Sequence, residues 1–111
     1  MSLFFNPQSI TAEKARDLMK SLDKKYVFLD VRTMSEYIME HIKGAISIPL
    51  DELDRRAKKE LPNKTVTIFV YCHSGARATS AVKLLKQLGY TNVQNLGGII
   101  NWPYETESGM R

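Results

Sequence analysis

The sequence predicts an α/β domain: a mainly parallel sheet with helices covering both faces. Three observations carry that expectation. Two β-rich runs, YVFLDV at residues 26–31 and TVTIFVY at 65–71, have the length and composition of buried strands. Between and around them lie segments whose apolar residues recur at helical spacing, and this alternation is the pattern of a parallel sheet between helices. The chain has 111 residues, 43% of them hydrophobic, which fits one domain spanning 1–111 with its core over about 8–104.

The elements follow in order. Thr11 is placed to cap a first helix in which Ala12, Ala15, Leu18, Met19 and Leu22 share a face, with Glu13 in the favourable first turn. After the strand at 26–31, Thr33 and Glu36 stand at capping-box spacing, so the chain is expected to enter a short helix running through Glu40 and broken at Gly44. AISIPL, residues 45–50, supplies a short strand that Pro49 ends, and residues 51–60 read as another helix. Pro62 and Asn63 mark a turn before the strand at 65–71. A helix then places Ala78, Ala81, Val82, Leu85 and Leu88 on one face and stops at Gly89. A last strand through Val93 and a turn at Gly97 and Gly98 lead to a short segment around Trp102.

Composition narrows the function. A single cysteine cannot form an internal disulfide, so the fold stands on packing, as is common in reducing compartments. The segment MSLFFNPQS has no basic residue before its apolar patch and meets Asn and Pro too soon for a signal-peptide core, and no run is long enough to cross a membrane; a cytoplasmic location is expected. The net charge of +4 is scattered, and its one dense cluster, Arg55, Arg56, Lys58 and Lys59, is flanked by Asp51, Glu52, Asp54 and Glu60. That mixture reads as a solvated helix face rather than a nucleic-acid surface, while the mild positive excess suits small anionic substrates. One cysteine and two distant histidines do not make a metal site.

The candidate site is YCHSGARA, residues 71–78. Cys72 is expected at the carboxyl end of a strand, where ligands collect in parallel sheets. His73, Ser74, Gly75, Ala76 and Arg77 then lead into a helix. Small residues around a glycine let successive backbone N–H groups point inward, and the helix behind adds unpaired N–H groups and its dipole. A thiolate at that centre is stabilised and available as a nucleophile. A lone cysteine is ordinarily an inert core thiol; here strand, loop and helix favour the reactive reading. Arg77, a cation in the first turn, opposes the dipole unless an anion or carboxylate compensates. Four residues separate Cys72 from Arg77. Phosphatase-type loops that ring a tetrahedral phosphate carry one more, so this tighter ring suits a smaller guest, such as one sulfur held on the cysteine as a persulfide. Asp30 and Arg32 end the other strong strand, and a carboxylate bonded to loop amides or paired with an arginine would brace the loop. His41 reads as structural and Trp102 as packing.

The segment LDVRTMSEYIMEHIKGAISIPLDEL, residues 29–53, together with YCHSGARA and LGGIINW, residues 96–102, resembles the rhodanese (thiosulfate sulfurtransferase) domain in the family's order over nearly the whole chain. The resemblance implies about five parallel strands between helices. It implies that Cys72 takes a sulfane sulfur from a donor and holds it as a persulfide cradled by the backbone amides of His73, Ser74, Gly75, Ala76 and Arg77. Arg77 and Ala78 would join loop to helix, and Asp30 and Arg32 would brace the site. Glu40 stands where the family usually has glycine and Lys43 where it frequently has proline, two departures that bear on the helix end rather than on the chemistry.

The expected activity is therefore transfer of a sulfane sulfur, with no cofactor, from a small anionic donor such as thiosulfate to cyanide, a small thiol or a protein cysteine. Because there is no second cysteine, the acceptor must come from outside. Two other readings stand beside it: a binding or sensing module that keeps the fold without turnover, and, handicapped by loop length, a cysteine phosphatase.

Overall fold

The computed structural model describes residues 9–23 and 25–110. The segment 1–8, on which most of the argument against a signal peptide rests, lies outside the described residues. Among the described residues no helix is long and apolar enough to cross a membrane.

Strands β1 (Tyr26–Asp30), β3 (Ile46–Ser47), β4 (Thr67–Cys72) and β5 (Val93–Gly98) form one parallel sheet in the order β3-β1-β4-β5. A single parallel bridge joins Ser9 to Asn95 at the outer edge of β5, so among the described residues the sheet has four strands rather than the expected five or so. The helices are α1 (Ala12–Ser21), α2 (Met34–Met39), α3 (Leu50–Glu60) and α4 (Ala76–Gln87). Side chains alternate along the central strands with a period of two. Leu29 of β1 and Ile68, Val70 and Cys72 of β4 pack with Leu53 and Ala57 of α3 and Ala78, Ala81, Val82 and Leu85 of α4. Phe28, Phe69 and Tyr71 pack on the other face with Ala15 of α1 and Tyr37 of α2. Each large aliphatic side chain so buried contributes roughly 1.5–3 kcal/mol, which makes the two-faced strands the main source of stability.

Local signals explain most boundaries. The Thr11 hydroxyl accepts from the Lys14 amide at the start of α1. At α2 the capping box is complete: Thr33 accepts from the Glu36 amide, and the Glu36 carboxylate accepts from the Thr33 amide. Three expectations need correction. The second helix ends at Met39, before Glu40 and well before Gly44, because His41 and Ile42 leave it to form a short strand, β2 (His41–Ile42). That strand pairs antiparallel with β6 (Thr106–Glu107) near the chain's carboxyl end, a ribbon the sequence reading lacked. Gly97 and Gly98 do not make a turn but lie within β5. Val70 pairs with Asn95 and Tyr71 with Gly97, so Leu96 is the extra residue of a β-bulge, and Gly97 takes a φ of 83° there. A 3-10 turn, Ile99–Asn101, then precedes Trp102.

Candidate active site

β1 and β4 are neighbours, so the two strong strands end side by side, with Asp30 in register with Tyr71, the residue before Cys72. Cys72 is the last residue of β4 and is only 1% exposed. Alternation turns its side chain to the α4 face of the sheet, under the first turn of that helix. Two backbone amides point at the sulfur: Gly75 N lies 3.0 Å and Ala78 N 3.3 Å from Sγ. The inward curl requires Gly75 at a φ of 123°, a conformation that L side chains rarely adopt. Ala78 itself is buried beneath the loop.

The loop is pressed against the end of β5. A Cβ on Gly98 would lie 2.2 Å from the His73 carbonyl oxygen and 2.6 Å from Ser74 Cα, closer than any real contact. A glycine there is thus the condition for the loop to sit where it does. The sequence displays the LGG triplet, but the backbone that Gly98 approaches lies 24 or 25 residues earlier in the chain.

Arg77, in the first turn of α4, is half-buried and clamped to Glu36 of α2 by two parallel bonds, Nη1 to Oε1 at 2.7 Å and Nη2 to Oε2 at 3.0 Å. Its hydrogen bonds and those from Thr33 hold the Glu36 carboxyl down to about 2. The pairing correspondingly raises Arg77, which also lies within the field of Cys72 and Asp30. This is the compensating carboxylate that a cation at a helix N-terminus requires. In sequence Glu36 reads only as a cap, because its partner is 41 residues away.

Asp30 and Arg32 form a buried pair, Nη2 to Oδ2 at 2.7 Å, and the Arg32 amide also donates to Oδ1 at 2.9 Å. Burial works against the Arg32 charge, but bonding to Asp30 outweighs it and holds the guanidinium above its ordinary value. Burial and the Asp30 charge together push the Tyr71 hydroxyl well up, which keeps it a neutral donor and acceptor; it accepts from the Ile42 amide at 3.0 Å. Asp30 is thus paired with an arginine. Arg32 also donates to the carbonyl of Glu40, whose φ of −168° is extended backbone open to any residue. The missing glycine there is thus harmless.

His73, Ser74 and Ala76 are exposed, and Gly75 is half-buried. Beside them opens a cleft of about 890 Å³ between the loop, the start of α1 and the segment carrying Trp102 and Tyr104. His41 is fully buried, stacked on Tyr37 at 3.7 Å and hydrogen-bonded to the Tyr37 carbonyl and to Glu107, away from the loop. Trp102 packs edge-on against Phe28 with one flank on the cleft. The described residues contain no cluster of His, Cys, Asp and Glu able to hold a metal ion.

The sequence model described as "Rhodanese-like domain" matches residues 11–104. The thiosulfate sulfurtransferase PspE of Escherichia coli is 42% identical over 72 residues, covering 65% of this chain and 69% of that protein. The putative sulfur carrier protein YrkF of Bacillus subtilis is 40% identical over 86 residues, which cover 77% of this chain but only 45% of the longer relative. Among solved structures, a rhodanese with anions from E. coli superposes with a TM-score of 0.72 at 37% identity, over 76% of this chain and 99% of that one.

Proposed function

The chain belongs to the rhodanese-like domain family, and from that premise we propose that it is a sulfurtransferase carrying a sulfane sulfur as a persulfide on Cys72. The observation that carries this reading is the sulfur of Cys72 beneath two inward amides, those of Gly75 and Ala78, at the join of β4 and α4. N–H groups fixed in place before reaction lower the energy of an anion that forms beside them without having to reorganise.

Two displacements make the cycle. The Cys72 thiolate attacks the outer sulfur of thiosulfate, the S–S bond of the donor breaks, and sulfite leaves with that bond's electron pair; the chain keeps Cys–S–S⁻. A nucleophilic acceptor then attacks the terminal sulfur, the new S–S bond breaks, and the Cys72 thiolate is restored. With cyanide the product is thiocyanate. Charge and atoms balance in both steps without a cofactor. The loop His73, Ser74, Gly75, Ala76 and Arg77 receives the donor, its exposed members at the mouth and its amides around the transferred sulfur. Asp30 and Arg32 hold the end of β1 alongside, and Ala78 ties the sulfur to the helix. The donor is a small anion, in keeping with the chain's positive charge, and the acceptor is an external thiol, protein cysteine or cyanide, since the chain has no second cysteine. A free thiol that must stay reduced between turnovers suits the cytoplasm. The name of the E. coli relative, a thiosulfate sulfurtransferase, supports the same chemistry.

The test is direct. Cys72→Ser is expected to abolish thiosulfate:cyanide transfer with the fold intact, because the swap is nearly isosteric but removes the soft nucleophile. Wild-type protein treated with thiosulfate should gain one cyanide-labile sulfur on Cys72 by mass spectrometry. Activity retained in the serine variant, or an unmodified thiol during full turnover, would end this reading, and aryl-phosphate hydrolysis without sulfur transfer would replace it with the phosphatase.

A further inference from the structure

Arg77 is the one cation in the loop, yet both amino groups of its guanidinium are already engaged by Glu36. A guanidinium presents its donors in a rigid planar fork, and the Glu36 carboxylate takes the Nη1–Nη2 face, one of the faces on which an arginine can grip an oxyanion with two bonds. The anchor is not loosely held. The Glu36 carboxylate also accepts from the Thr33 amide and hydroxyl within the capping box, so the acid is fixed to α2 before Arg77 meets it. Electrostatically the loop therefore shows an incoming anion a neutral pair rather than a positive charge.

We propose that Glu36 is a specificity-determining residue: by occupying the Arg77 fork it weakens the loop's hold on anionic groups, so that the site accepts and releases its small anionic donor and product instead of retaining them. The inference rests on the sulfur-transfer reading for its donor but not for its physics, since the competition between a carboxylate and a free anion for Arg77 exists whatever the loop catalyses. Glu36 acts through Arg77 and is a positioning residue, not a catalytic one.

The informative variant is Glu36→Gln, which keeps the reach and the hydrogen-bonding cap of a capping box and removes only the charge. Two controls separate charge from cap. Thr33→Val loosens the cap while leaving the carboxylate on Arg77, and Glu36→Asp retains the charge. Sulfate binding is measured by calorimetry on the free protein, and thiosulfate KM and kcat are measured in parallel. Glu36→Gln is expected to tighten sulfate and to lower the thiosulfate KM about tenfold, the scale of one hydrogen bond to a charged group, with kcat unchanged or lowered by slower sulfite release. Thr33→Val should leave both affinities near wild type, and Glu36→Asp should lie closer to wild type than to the glutamine variant. Sulfate affinity that is unchanged or weaker in folded Glu36→Gln, or a shift of equal size in Thr33→Val, would overturn the proposal. Sulfate binding is read without turnover, so it decides the role of Glu36 even if wild-type protein transfers no sulfur.

Discussion

At the scale of single residues, the loop is defined as much by what is missing as by what is present. Gly98 carries no chemistry, yet a methyl group there would meet the His73 carbonyl at 2.2 Å. The obstacle is backbone on both sides, so no rotamer change can relieve it, and either β5 or the loop must move. Gly98→Ala should therefore reduce sulfur transfer by two orders of magnitude or more, on the reasoning that displacing one preorganised donor costs about 3 kcal/mol in the transition state. It should also lower the melting temperature. Ala at Gly44, where an added Cβ meets nothing within 4 Å, gives a comparison in which only the positive φ is penalised. Circular dichroism melts and initial rates on the two variants would check this; equal activity in both would show that the close approach at Gly98 is dispensable.

At the scale of elements, the length of the β4–α4 loop decides which amides reach the sulfur. Gly75 N and Ala78 N converge on Sγ because α4 begins at Ala76, one residue past the glycine. Inserting one alanine between Gly75 and Ala76 should rotate the first turn of α4 relative to the loop by about 100°, one residue's share of a turn, and carry the Ala78 amide away from the sulfur. Sulfur transfer should fall about a hundredfold, the scale of one lost oxyanion-type donor, while the thiol is alkylated no more slowly than in wild type. Rates and iodoacetamide labelling of the insertion variant test it, and undiminished transfer in a folded protein would show that ring size does not select the guest. The same elements show what could be read from the chain alone. Capping residues, strand-length runs and the strand–loop–helix around Cys72 are signals carried by neighbours in sequence, and they were legible. The β2–β6 ribbon was not, since two residues on each side leave no periodicity to detect. Nor were the Arg77–Glu36 clamp and the seat of the loop on Gly98, because both are made between positions whose proximity only the folded sheet creates.

At the scale of the whole molecule, α2 is fastened to α4 by the Arg77–Glu36 pair and to the end of β1 by Arg32, whose side chain bridges Asp30 and the Glu40 carbonyl. The ribbon adds Glu107, which accepts from the Gly44 amide and bonds to His41. Glu36, Glu60 and Glu107 are all held below the usual carboxylate range. A carboxyl whose folded pKa is depressed contributes stability that is complete above its unfolded value and is lost as pH falls through the folded one. For Glu36 that window runs from 4.5 down to about 2. Melting temperature should thus fall as pH drops below 4.5, and the drop between pH 4.5 and 2 should be smaller in Glu36→Gln than in wild type. Parallel acid titrations followed by thermal melts measure the difference, and superimposable curves would mean that the pair is too well solvated to matter.

The solitary cysteine, 1% exposed at the end of β4, has a kinetic side as well. A loaded persulfide in a protein with several thiols has an internal exit, since a neighbouring cysteine can expel the sulfur and close a disulfide. This chain offers no such exit. Under the proposed relay the dwell time of the bound sulfur is then set by how often an acceptor arrives and fits, not by any clock within the protein. When acceptor is scarce, the same molecule that works as a transferase becomes a reservoir holding one atom of sulfur per chain.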